Sequence, residues 1–389
     1  MGILVTAARL WDGQKFLERP AVLIEDVRIV SLSSPVDAGQ AETLDFPSAT
    51  LVPTFFDVHI HGAAGHDVME ATPEALRTIG SFLATKGTGR YLATTVTAPL
   101  ETTLLAVSNL AKMIEHPEFV ADDNLPLAKP LGIHLEGPFL SHQKCGVQPV
   151  EHMLAPNIAT FDRIFEAAEG TVRLMTIAPE LPGAIELIQH ATRRGVRISL
   201  GHSNAVASET RKAITAGAAS ATHTFNAMRA LDHREPGILG TVLTTDSVFA
   251  ELICDGIHVA QEMVRLWYRA KGPQRGILVT DAMSATGMPD GEYKLGGVAV
   301  QVSGGRATAG GRLAGSVLTL DRALTNFMEF TDAPLADALP LLTTNPSTMT
   351  GLQGDAGLLV EGQPANLIAI DESGRLLGAI VNGRVAMRN

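Results

Sequence analysis

Five separated segments of the chain end an apolar run on an imidazole or a carboxylate. They are His59-Ile60-His61, His134-Leu135-Glu136, Gly201-His202, Thr222-His223 and Thr280-Asp281. These side chains hold catalytic divalent ions, and a centre with an open position makes water a nucleophile near neutral pH. One such pair would carry little weight. Five, each closing a candidate strand, point to a metal-dependent hydrolase whose ligands converge from several strands.

His59 and His61 are two apart on a strand candidate, so both side chains leave it on the same side. His134 and Glu136 repeat that spacing before Gly137-Pro138. A glutamate at the end of an apolar strand is costly unless paired or metal-bound. Glu136 with His202 and His223 makes a three-ligand set with room for water and substrate. His134 reads equally as a ligand or as a packed residue behind the ligands. Asp281 either caps the next turn or serves as a general acid/base beside the reacting water. Asn226, Arg234 and His258, the last closing Asp255-Gly256-Ile257-His258, suit an anion such as a phosphate. For Arg234 a surface ion pair is the plain alternative. Cys145 reads as an ordinary loop thiol, and no P-loop is present.

These groups need elements to position them. Apolar runs end near His61, Thr97, Glu136, Pro179, His202, Asn226, Asp255 and Asp281. Helical spacing lies between most of them: Pro73 to Lys86, Thr102 to His116, Ala184 to Arg194, Ser208 to Ala216 and Gln261 to Lys271. Gly87, Gly195, Gly217 and Gly272 sit where those helices should stop. Eight strands alternating with helices predict a (β/α)8 TIM barrel. The rival, an open doubly wound sheet, would gather its chemistry at one switch point. Both termini differ in rhythm. Leu4-Val5-Thr6, Ala21 to Ile24, Asn366 to Ile370 and Leu377 to Val381 read as short strands, with turns at Asp12-Gly13 and Asn382-Gly383. The expectation is a small β-sandwich domain from residues 1–52 and 357–389 around a barrel of 53–356.

Bulk properties set the compartment and exclude partners. A formal charge of -11 over 389 residues argues against nucleic acid. Two cysteines cannot build a disulfide framework, and no apolar run approaches the roughly 20 residues that span a bilayer. The start shows no secretory leader pattern. A cytoplasmic protein without a membrane partner is expected.

Taken together, His134-Leu-Glu136-Gly-Pro-Phe139, Gly201-His202-Ser203, Thr222 to Met228, Arg234-Glu-Pro-Gly237, Asp255 to His258, Thr280 to Met283 and Leu313 to Ser316 resemble the N-acetylglucosamine-6-phosphate deacetylase family of the amidohydrolase superfamily. The resemblance runs from about Pro53 to Gly351 and is weaker in the terminal segments. It implies a TIM barrel with a small β-sandwich, and hydrolysis of the N-acetyl group of an amino-sugar phosphate. It implies Glu136, His202 and His223 as ligands of the main metal, and Asp281 as acid/base. In the mechanism expected from these residues, His134 stabilises the intermediate. It puts Asn226, Ala227, Arg234, His258 and Leu313 around the substrate. Because His59 and His61 are kept, a second ion bridged by Glu136 is expected as well as the one-ion form. Zinc is the first expectation, with iron, manganese or cobalt also suited. Homodimers are implied, with Arg234 reaching the neighbouring site. One departure concerns the sugar. Many members carry Gly-Ala-His where this chain has Gly146-Val147-Gln148. Glutamine can bond hydroxyls but carries no charge, which leaves gluco against galacto configuration open. The competing classes are a deaminase or cyclic amidase of the same superfamily, and a non-catalytic sugar-phosphate-binding protein. No lysine ends a candidate barrel strand to serve the cyclic-amidase centre.

Overall fold

The computed structural model describes residues 2–32, 39–122 and 125–388. Eight parallel strands form a barrel: Phe55–Ile60, Thr88–Thr95, Lys129–Glu136, Val172–Ile177, Arg197–Leu200, Ala218–Ala221, Phe249–Ile253 and Gly276–Val279. Neighbouring strands pair in chain order. The ring closes where Asp281 N–H donates to the His59 carbonyl at 2.9 Å and His61 N–H to that of Ala282 at 2.8 Å. The fold is thus the expected TIM barrel, not an open sheet.

A helix follows each strand, for example Pro73–Thr85, Leu100–Glu115, Ala184–Arg193, Ala207–Ala216 and Gln261–Arg275. Pro73–Thr85 shows why. Thr72 caps its N-terminus, Pro73 takes the first turn, and Leu76, Ile79 and Leu83 bury one stripe on the barrel. Gly87, Gly195 and Gly217 lie at or just past helix ends with positive φ, as expected. Gly272 differs: its φ of 60° kinks the segment and Pro273 resumes it to Arg275.

The two termini share one eight-stranded sheet and form the small β-sandwich domain. The long strand Glu42–Pro53 pairs with Ile3–Trp11 in parallel and with Leu367–Ile370 in antiparallel register. Side-chain alternation divides its apolar residues. Leu51, Leu367 and Ala369 join Val5, Val22 and Ile24 in a small core, while Val52, Ile368 and Ile370 pack against the barrel. At Asn382-Gly383 both residues have positive φ, which suits a tight hairpin turn.

The sequence reading left one piece unplaced. Gly291–Leu295, Val298–Ser303, Arg306–Ala309 and Arg312–Leu313 form an antiparallel meander between the eighth strand and the helix Leu320–Thr331. Its turns are Gly296-Gly297, Gly304-Gly305 and Gly310-Gly311, and those glycine pairs were its legible signal. Among the described residues, no helix is long and apolar enough to cross a membrane.

Candidate metal centre and substrate pocket

The chemistry-bearing residues meet at the C-terminal end of the barrel. His59 and His61 project inward from the first strand and the residue after it, and Glu136 ends the third. The other three lie just past strand ends in left-handed backbone: His202 (φ 45°), His223 (φ 30°) and Asp281 (φ 51°). A non-glycine residue in that region costs of order 1–3 kcal/mol, and such strain gathers at functional sites. Phe225 and Ala227 share it, which is why the sixth strand ends at Ala221, before the expected Asn226.

Two triads result, His59 with His61 and Asp281, and Glu136 with His202 and His223. Glu136 Oε1 is 3.1 Å from His202 Nε2 and 3.1 Å from His223 Nε2, which are 3.1 Å apart. His61 Nε2 lies 3.1 Å from Asp281 Oδ1 and 3.3 Å from His59 Nε2. Glu136 joins the triads: Oε1 is 3.4 Å from His59 and Oε2 is 3.3 Å from His61. Ligand atoms about 3.4 Å apart are the edges of a tetrahedron with bonds near 2.1 Å, so the spacing fits a divalent ion. The ring orientations fit too. His61 Nδ1 is 3.2 Å from the Thr94 carbonyl and His202 Nδ1 is 2.9 Å from that of Lys144. A carbonyl only accepts, so those nitrogens carry the protons and Nε2 faces the triads.

The electrostatics agree. Burial alone would raise the Glu136 pKa, but the charge of His59 and the bonds from His202, His223 and His61 hold it well below the usual carboxylate range. Burial works against a proton on His61 and on His202, yet Asp281 and Glu136 raise the first and Glu136 the second. The carboxylates that draw protons there would draw a cation instead.

The centre opens into a cavity of about 220 Å³ lined by His61, Glu136, Gln148, His202, His223, Asn226, Ala227, His258, Asp281 and Leu313. Asp281 is 13% exposed, the most open of the six triad side chains. His258 Nδ1 is 2.7 Å from Asp255 Oδ2, which leaves Nε2 as its free ring nitrogen. Gln148 is locked at both ends: Oε1 accepts from Thr97 N–H at 2.8 Å and Nε2 donates to Glu136 Oε2 at 2.6 Å.

Two expected residues lie apart from the cavity. His134 is fully buried beneath it, Nδ1 on the Val58 carbonyl at 3.1 Å and Nε2 on the Thr176 hydroxyl at 2.8 Å. Burial holds its pKa well below the usual imidazole range, aided by His59. Arg234 is exposed on the loop before Gly237–Leu243, where its backbone N–H donates to Asp232 Oδ1 at 2.8 Å. The sequence reading missed two carboxyls. Asp57 is 2.6 Å from the Thr280 hydroxyl, and burial pushes its pKa to about 7. Glu251 is 3.4 Å from His59 Nδ1, and burial pushes its pKa to about 8. Each breaks an apolar strand, the signal that singled out Glu136.

Comparison with known proteins adds the class. The chain belongs to the amidohydrolase family, whose model matches residues 50–386. Among its relatives, the N-acetylgalactosamine-6-phosphate deacetylase of Escherichia coli O157:H7 is 36% identical, covering 98% of this chain and 99% of the relative. The N-acetylglucosamine-6-phosphate deacetylase of Lysinibacillus sphaericus is 35% identical, covering 95% and 94%. A solved structure, a variant N-acetyl-D-glucosamine-6-phosphate deacetylase of Mycobacterium smegmatis in complex with N-acetyl-D-glucosamine-6-phosphate, superposes with a TM-score of 0.90. It is 34% identical over 99% of both chains.

Proposed function

We propose that this protein is a metal-dependent deacetylase that hydrolyses N-acetylglucosamine 6-phosphate to glucosamine 6-phosphate and acetate. One observation carries the reading. Glu136, His202 and His223 converge within 3.1 Å contacts at the floor of a cavity that Asp281, Asn226, Ala227 and His258 also line. The relatives' activities and the substrate in the mycobacterial complex support the same substrate class.

Glu136, His202 and His223 would hold one divalent ion, and His59, His61 and Asp281 a second, with the Glu136 carboxyl within 3.4 Å of both His59 and His61. Zinc is the proposed metal; the donor set also suits iron, manganese or cobalt. When bound, the ion supplies Lewis acidity for the acetyl carbonyl and lowers the pKa of water toward about 7. Asp281 accepts a proton from the attacking water as the new C–O bond forms, and then passes it to the amide nitrogen as the C–N bond breaks and the amine leaves. His134, buried beneath the cluster, stands edge-on to the His59 ring at 4.8 Å between centroids and steadies it from below. His258 and Asn226 receive the phosphate, and Arg234 of the partner subunit in a homodimer completes its clamp. Leu313 and Ala227 border the sugar. The free thiols Cys145 and Cys254 suit a reducing cytoplasm. The sheet pairing of Leu367–Ile370 with Glu42–Pro53 supports a division into 1–52 with 357–389 and 53–356.

N-acetylgalactosamine 6-phosphate is the second reading, supported by the activity of the Escherichia coli relative. Acetate release from both 6-phosphorylated sugars and their unphosphorylated forms tests the assignment. The glucosamine phosphate should give the highest kcat/KM. A higher value for the galactosamine phosphate selects the second reading, and equal rates on unphosphorylated sugars remove the phosphate clamp.

A further inference from the structure

One residue ties the two triads together from beneath and has no part in the reaction derived above. Glu251 sits in the middle of the seventh barrel strand, Phe249–Ile253, and is fully buried. Its Oε2 lies 3.4 Å from His59 Nδ1 and accepts the His223 backbone N–H at 3.3 Å. His59 belongs to one triad and His223 to the other.

The remaining two imidazoles are held differently, by the carbonyls of Thr94 and Lys144. A carbonyl fixes a ring's tautomer and direction. A carboxyl group fixes both as well, and can serve two rings at once through its two oxygens. Two unsatisfied atoms point to the same partnership. Glu251 Oε1 and His223 Nδ1 are both buried without a hydrogen-bond partner, although their residues already touch through the His223 backbone. The rest of the strand, Phe249, Ala250, Leu252 and Ile253, is apolar and buried. A carboxyl in that run is costly unless something needs it.

We propose that Glu251 is a positioning residue shared by both triads, holding His59 and His223 with Nε2 toward Glu136 and thereby setting the affinity of the centre for its divalent ion. This rests on the reading that the triads hold metal, and the test separates the two.

The full chain and two variants, Glu251→Gln, nearly isosteric, and Glu251→Met, which removes the acceptor, are stripped of metal. Each is then titrated with zinc against a chromophoric chelator. Thermal unfolding of the stripped proteins monitors the fold. Both variants should unfold cooperatively and bind zinc roughly 10–100-fold more weakly than the wild type. Wild-type affinity in either folded variant overturns the inference. So does weakened binding found only where the stripped variant has lost cooperative unfolding, because Glu251 then serves the fold. A wild-type chain that takes up no zinc, iron, manganese or cobalt overturns the metal reading itself.

Discussion

Asp281 occupies an unusual position for a strand-end carboxylate. It is close enough to His61, at 3.1 Å, to share an ion, yet it is the most open of the triad side chains. Those two properties fit a proton carrier at the edge of the centre. Asp281→Asn should keep the ion at Glu136, His202 and His223 and lower kcat by on the order of 10²–10⁴-fold. Metal content and acetate release on the same preparation check this, and near-normal kcat would remove Asp281 from the reaction. The residues that close apolar runs, Glu136, His202, His223 and Asp281, were legible in the sequence because a polar group there interrupts an obvious pattern. Asp57 and Glu251 interrupt the same pattern within their strands. They gain meaning only through Thr280 and His59, partners distant in sequence that the barrel brings alongside. Likewise, His134 could not be told from a ligand until Val58 and Thr176 were seen to take both its ring nitrogens.

Alternating apolar runs and capped helices made the barrel legible, whereas the meander at 291–313 left only its turns to read. Its strands are short and partly exposed, so they lack a long apolar period, although its glycine pairs mark every turn. The join between strand five and His202 is sterically exact. A Cβ on Gly201 would lie 2.7 Å from Thr222 Cβ and 2.9 Å from Thr176 Cγ2. Gly201→Ala should therefore destabilise the protein by about 1–3 kcal/mol through overpacking and displace His202. Chemical denaturation with a zinc titration reads both effects. The helix Gln261–Arg275 carries a pH signal. Lys271 donates to the carbonyls of Val242 and Thr245, and burial lowers its pKa from 10.5 to about 8. Below about pH 8 both folded and unfolded chains hold that proton. Between about 8 and 10.5 the unfolded chain keeps a proton that the folded one sheds, so this group's contribution to stability rises with pH. Urea midpoints at pH 7.5 and pH 10 should show the increment in the wild type and its loss in Lys271→Met. An equal change in both proteins would assign it to other groups.

At the scale of the whole molecule, the terminal sheet clasps the barrel. Alternate residues of Leu367–Ile370 feed two cores, which ties that strand to both the barrel and the terminal sheet. A single subunit leaves Arg234 exposed and outside the cavity that holds His258. If it serves a neighbouring subunit, Arg234→Ala should raise KM for the phosphorylated sugar more than it lowers kcat. Steady-state kinetics with the oligomeric state measured by sedimentation check this, and an unchanged KM places the phosphate elsewhere. The most direct test of the account is acetate release from N-acetylglucosamine 6-phosphate by the wild-type chain before metal removal, after it, and after reloading with zinc. Activity should vanish on stripping and return on reloading. A stripped, metal-free protein that releases acetate at the original rate would contradict the account.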